Sequence, residues 1–197
     1  MEIDSLLMRD PEGRGNAEAV MDHILSWTFK MCNRLNHTNR RNDELLKECR
    51  KILSALIGVD ITGDECTVVP YMQWEKIDIV VEVVLQNGER HAILIENKVK
   101  AILPPHELND NKIKFKQFYD NDGDRHWHQH YWLIHAYVVP EYMKKQCDID
   151  GYTYITLDEL SHSSGPDLGN DIFDEFWRRK NWNMPTRNCK TRFQNGT

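Results

Sequence analysis

The strongest constraint on the fold of this chain is a pair of apolar, β-branched runs, Ile77-Asp78-Ile79-Val80-Val81 and Ala92-Ile93-Leu94-Ile95, separated by a segment containing Gln86-Asn87-Gly88. Asn-Gly between two such runs specifies a β-hairpin, and the loop length then decides which side chains share a face. A two-residue Asn87-Gly88 loop would set Asp78 opposite Asn97 and turn Glu96 and Lys98 to the other face. A three-residue loop, a type I turn with Gly88 left-handed in a bulge, sets Asp78 directly opposite Glu96, with Lys98 two residues on. The second register is expected here, because opposed Cβ atoms lie only ~4.5–5.5 Å apart, a spacing that lets two carboxylates share one hard cation. Without a cation the pair repels, and one carboxyl is forced to protonate. Buried strands seldom carry charge without a partner or a metal. Two carboxylates and an ammonium supply a divalent-metal site with a charge stabiliser; a structural Asp/Glu/Lys ion-pair cluster is the other reading these residues leave open.

Around the hairpin, Asn16 caps an expected helix running from Ala17 to about Leu35, with Val20, Ile24 and Trp27 or Thr28 on one stripe. A polar link from Asn36 to Asn42 precedes a second helix, in which Leu45, Leu46, Cys49, Ile52, Leu53, Leu56 and Ile57 recur at helical spacing and Gly58 ends the run. A short strand near Cys66-Thr67-Val68-Val69, strands at about 77–85 and 89–97, a helix near 107–120 after Pro104-Pro105, strands at 131–139 and 152–157, and a helix from Asp171 to Arg179 complete the order. The sequence therefore predicts α-α-β-β-β-α-β-β-α, an α/β fold with residues 1–180 as a single domain and residues 181–197 as a basic tail.

Charge is uneven along the chain. The net value is −6, but residues 178–197 hold six basic residues and no acids, leaving −12 on residues 1–177. Such a body argues against coating nucleic acid by electrostatics alone. The tail reads as a solvated C-terminus or as a basic arm for a phosphate backbone. No apolar run approaches a membrane span, the start lacks a secretory signal, and five cysteines form no Cys-x-x-Cys pair. Reduced thiols, a cytoplasmic location and no membrane partner are the expectations.

Other motifs carry less. Asp120-Asn121-Asp122-Gly123-Asp124 opens like a calcium loop, but Arg125 stands where glycine and Tyr131 where an acid is required, so a surface turn is expected. His126, His128 and His130 alternate without an evident partner acid and read as a half-exposed lead-in to the following strand. Trp127, Tyr131 and Trp132 read as aromatic core.

Lys76-Ile77-Asp78 and Ile95-Glu96-Asn97-Lys98 together resemble the second and third motifs of the PD-(D/E)xK nuclease superfamily, in its bacterial branch with Glu-Asn-Lys in the third motif. Glu18 stands where that superfamily commonly places a first-helix glutamate, and the resemblance covers roughly residues 14–160 of the chain. No proline precedes Asp78. In place of the usual Gln-x-x-x-Tyr, Gln117 sits near Tyr119 at another spacing, and Asn111…Phe115 keeps the spacing with other chemistry. The resemblance implies a restriction-endonuclease-like αβββαβ core with a central mixed sheet flanked by helices. It also implies metal-dependent hydrolysis of phosphodiester bonds in nucleic acid, DNA ahead of RNA. Asp78, Glu96 and the backbone carbonyl of Asn97 would hold Mg²⁺ or Mn²⁺, Lys98 would position water or stabilise charge, and Glu18 would complete the site. A homodimer would suit cleavage of two strands. The competing expectation is a non-catalytic nucleic-acid- or protein-binding regulatory module on the same fold.

Overall fold

A computed structural model describes residues 17–36, 43–99, 105–138, 141–161 and 165–180. Its centre is a five-stranded mixed sheet in the order β1-β2-β3-β4-β5, with β1 Cys66–Trp74, β2 Ile77–Leu85, β3 Arg90–Lys98, β4 His128–His135 and β5 Thr153–Thr156. The first three strands form an antiparallel meander; β3, β4 and β5 run parallel. Parallel neighbours require crossovers, supplied by α3 (Pro105–Asp120) and α4 (Glu141–Asp150). Before the sheet stand α1 (Ala17–Lys30) and α2 (Asp43–Ile57); after it come α5 (Leu157–Ser161) and α6 (Asp171–Phe173), which continues as a π-helical turn over Asp174–Arg178.

Alternation along the central strands separates two cores. Ile79, Val81, Ile93, Ile95 and Ile134 pack with Met21, Leu25 and Phe29 of α1, Leu53 and Leu56 of α2, and Phe173 and Trp177 near the end of the described chain. Val80, Ala92, Leu94 and Leu133 pack instead with Leu108, Phe115 and Tyr119 of α3. The sheet is thus covered on both faces, which explains why β2 and β3 read as nearly continuous apolar runs. It also fixes direction: Glu96 and Lys98 share the α3 face with Leu94, and Asn97 shares the α1 face with Ile95.

The hairpin register is the expected one. Ile79 pairs with Ile95 and Val80 with Leu94, so Asp78 stands opposite Glu96 one step further on. The loop closes through Gly88 N–H to Leu85 O and Leu85 N–H to Glu89 O, both 2.9 Å, with Gly88 at φ +89°.

Several expected boundaries shift for identifiable reasons. Helix α1 stops at Lys30 rather than near Leu35, because the Asn33 side chain donates to Val68 O (2.7 Å) and accepts from Val68 N–H (2.8 Å), clamping the chain to β1. Strand β1 runs on to Trp74 through Pro70; an edge strand tolerates proline because one side needs no ladder donor. Strand β4 begins at His128 and ends at His135, earlier at both ends than expected. Helix α4 was not anticipated, since Glu141–Asp150 has no sustained apolar stripe. Asn16, residues 37–42 and the 181–197 tail lie outside the described residues.

The register prediction is direct. A Cβ at Gly88 would meet nothing within 4 Å, so Gly88→Ala should cost only the left-handed backbone penalty, about 1–2 kcal/mol of unfolding free energy. Urea denaturation showing no loss would mean that the bulge does not hold the hairpin.

Candidate functional site

The hairpin delivers its charged residues to the end of the sheet where β2 begins and β3 ends. The Asp78 carboxylate accepts the backbone N–H of Asn97 (2.8 Å) and lies 3.5 Å from Lys98 Nζ, both at Oδ2. Glu96 is only 2% exposed and accepts a bond from Asn111 Nδ2 of α3 at 2.7 Å. Helix α1 brings Glu18, whose Oε1 accepts from Val99 N–H (3.1 Å) and whose Oε2 lies 3.9 Å from Lys98 Nζ. The anticipated quartet Glu18, Asp78, Glu96 and Lys98 is therefore gathered in one place.

Three further residues join it. Asp22, one turn after Glu18, accepts from the Asn97 side chain at 2.6 Å. Its signal in the sequence was the i, i+4 spacing from Glu18, which puts both carboxylates on one side of a helix. Asn111 takes the place on Glu96 that Gln117 does not occupy, while Tyr119 donates to Glu82 at 3.0 Å. His135 pairs with Lys98 across the parallel β3–β4 ladder.

Burial dominates the electrostatics. Desolvation, then the like charge of Asp78, pushes the Glu96 carboxyl up to about 8, against the opposing pull of Asn111 and Lys98. Desolvation likewise raises Asp22 to about 6, although Asn97 stabilises its charged form. Burial lowers His135, keeping the imidazole neutral near neutral pH. The backbone beside Asp78 is also unusual: Gln73, Glu75 and Lys76 have φ of 54°, 50° and 77°. Glu75 and Lys76 form the two-residue turn between β1 and β2, and Gln73 interrupts the ladder opposite Asp78. Non-glycine residues in this region cost roughly 1–2 kcal/mol each, and such strain concentrates at functional sites.

The donor set suits a hard cation, because two carboxylates oppose each other and a divalent charge would displace the proton that burial keeps on Glu96. Among the described residues no three His, Cys, Asp or Glu side chains are grouped to hold a metal ion. An ion bound here would therefore use two carboxylates and take its other oxygens from backbone, water and phosphate, as Mg²⁺ commonly does.

The remaining motifs settle into other roles. Asp122 accepts from Trp127 Nε1 (2.8 Å) and Asp120 from Lys116 and Gln129 (both 2.7 Å), an ordinary surface turn. His128 and His130 lie beside His91 of β3, whose Nδ1 is 3.1 Å from His130 Nε2. Glu89 Oε1 is 3.2 Å from His91 Nε2 and 3.7 Å from His128 Nε2, the partner acid that was not evident from sequence. Burial lowers His130 to about 4. Cys32 and Cys49 are free and buried, Cys66 is free and partly exposed, and Trp127 is buried in the α3-side core.

Fold and site together define a mixed α/β protein with a buried carboxylate–amine cluster at one end of its central strands. No described helix is long and apolar enough to cross a membrane. Compared with protein-family models, with curated proteins and with solved structures, the chain matches none.

The raised carboxyls make stability depend on pH. Glu96 keeps a proton in the folded chain up to about pH 8, whereas the ordinary carboxyl value is 4.5; Asp22 behaves alike up to about 6. Between those limits the native state binds more protons than the unfolded state, so stability falls as pH rises. In EDTA, wild type should lose a few kcal/mol relative to Glu96→Gln between about pH 5 and pH 8. Parallel urea-denaturation profiles for the two proteins would refute this.

Proposed function

We propose that this chain is a metal-dependent nuclease of the PD-(D/E)xK type, hydrolysing phosphodiester bonds of nucleic acid, DNA ahead of RNA. The observation that carries the reading is the convergence of Asp78, Glu96 and Lys98 from one hairpin with Glu18 from α1. The element order supports it: a helix, an antiparallel three-strand meander, a crossover helix and a parallel fourth strand, the arrangement expected of a restriction-endonuclease-like core, with α2 inserted after the first helix.

Asp78, Glu96 and the Asn97 carbonyl would hold Mg²⁺ or Mn²⁺. When bound, the ion supplies Lewis acidity and a more acidic water. The protein's own groups divide the remaining work. Asp78 is held by the Asn97 N–H and Glu96 by Asn111, so neither carboxylate swings freely. Lys98 sits close enough to Asp78 to orient an attacking water or to offset charge gathering on the phosphate. Glu18, anchored on Val99 N–H, adds a carboxylate at the rim, and Asp22 fixes the Asn97 side chain between the two site strands' ends and α1.

One observation favours the second reading, a non-catalytic binding or regulatory module: Glu96 is nearly solvent-inaccessible and Lys98 already contacts two carboxylates. The two readings separate in one experiment. Labelled single- and double-stranded DNA and RNA are incubated with the protein in Mg²⁺, Mn²⁺ or EDTA, beside Glu96→Ala and Asp78→Ala. The nuclease reading expects metal-dependent cutting reduced by ~10³-fold or more in either variant. It also expects Mn²⁺ to raise the melting temperature of wild type but not of Asp78→Ala. No cutting and no metal-linked stabilisation would leave the cluster structural.

A further inference from the structure

We infer that His135 is a further substrate-contacting residue of this site, its Nε2–H donating a hydrogen bond to a non-bridging oxygen of the phosphate held beside Lys98. The inference rests on the phosphodiesterase reading above and adds a residue that the motifs do not contain.

Three observations lead to it. First, the strand register places His135 beside Lys98, and it lies two residues after Leu133, which packs in the α3-side core. His135 thus projects from the same face as Glu96 and Lys98. Glu18 and Lys98 are the charged side chains that its ring senses. Second, the tautomer is set by the backbone: Tyr137 N–H donates to His135 Nδ1 at 3.2 Å. With Nδ1 an acceptor, the neutral ring carries its proton on Nε2. Third, that Nε2 is buried and has no hydrogen-bond partner among the described residues, in a side chain only 4% exposed. An orphan buried donor is costly and uncommon, and here its residue pairs with Lys98, the ammonium that the phosphodiesterase reading sets beside phosphate.

The neutral form suits the place. A second fixed cation next to Lys98 would compete with a divalent ion at Asp78 and Glu96, whereas a neutral N–H stabilises phosphoryl oxygen without that repulsion. Burial, which lowers the affinity of this ring for a second proton, favours the neutral donor.

The test compares His135→Phe with His135→Gln, whose amide can present an N–H at similar reach, on an oligonucleotide that wild type cuts. Each protein is also assayed on the two phosphorothioate diastereomers at the mapped cleavage position. His135→Phe should lower kcat ~10–100-fold while KM stays within about threefold, and His135→Gln should recover part of the loss. Wild type should show a rate penalty for one sulfur diastereomer that shrinks in His135→Phe, a change that a merely structural role would not produce. As a measurement independent of variant folding, the Nε2–H resonance of His135 in wild type should shift when the same oligonucleotide is added with non-cleaving Ca²⁺. Cutting by wild type with His135→Phe unaffected, an undiminished sulfur penalty in that variant, or an unmoved Nε2–H signal would overturn the assignment. Absence of cutting by wild type on every substrate and metal would instead overturn the nuclease reading, and this inference with it.

Discussion

Two carboxylates facing each other across a buried antiparallel pair set the terms for everything near them. Asp78 and Glu96 cannot both hold full charge in that setting without help, and each neighbouring element contributes some. Backbone N–H from β3 and the ammonium of Lys98 serve Asp78; an amide from α3 serves Glu96. Helix α1 adds acids rather than bases: Glu18 accepts from Val99 N–H just past β3, and Asp22 from the Asn97 side chain within it. The result is a cluster with more carboxylates than cations, in which Glu96 is kept neutral chiefly by burial. Such an arrangement is poorly explained as a stabilising ion pair, since a buried ion-pair network built for stability would balance its charges. Under the metal-dependent reading proposed above, a bound divalent cation would supply the missing positive charge.

The backbone beside Asp78 departs from the usual pattern as well. Well-behaved sequences satisfy propensity, pattern and turn chemistry together, and departures gather where function requires them. Here Gln73, Glu75 and Lys76 adopt left-handed conformations within three residues of one another, next to Asp78, in a hairpin whose other turn uses glycine as expected. The opposite end of β3 carries a different polar group, the imidazoles of His91, His128 and His130 with Glu89. The same strand thus carries Glu96 and Lys98 near its end and His91 near its start, with Ala92 to Ile95 packed in the two cores between.

What could be read in the sequence followed from short-range rules. The hairpin register was legible because Asn87-Gly88 limits the loop choices and alternation limits the faces. Asp78, Glu96 and Lys98 followed from that register, whereas Glu18 came only from the resemblance to the superfamily. Asp22 and His135 escaped notice because each matters only through a partner far away in the chain, Asn97 and Lys98 respectively. Asn111 was visible as a spacing but not as a function, since nothing local says that its amide reaches Glu96. Helix α4 and the far half of β1 were lost to opposite causes. The helix lacks an apolar stripe, and the strand contains a proline that only its edge position makes harmless.

Surface loops are ordinarily where proteins accept changes of length, and the tip between β2 and β3 is as exposed as any. In this chain it behaves as a gauge block. Roughly 23 Å of strand separate Leu85 from Asp78, yet one amino acid added or removed at Gln86-Asn87-Gly88 would rotate Asp78 away from Glu96 without touching either. The acidic pair can therefore drift in composition only within a fixed count of residues. Among descendants of this chain, length at that distant tip should vary less than identity at many positions nearer the site.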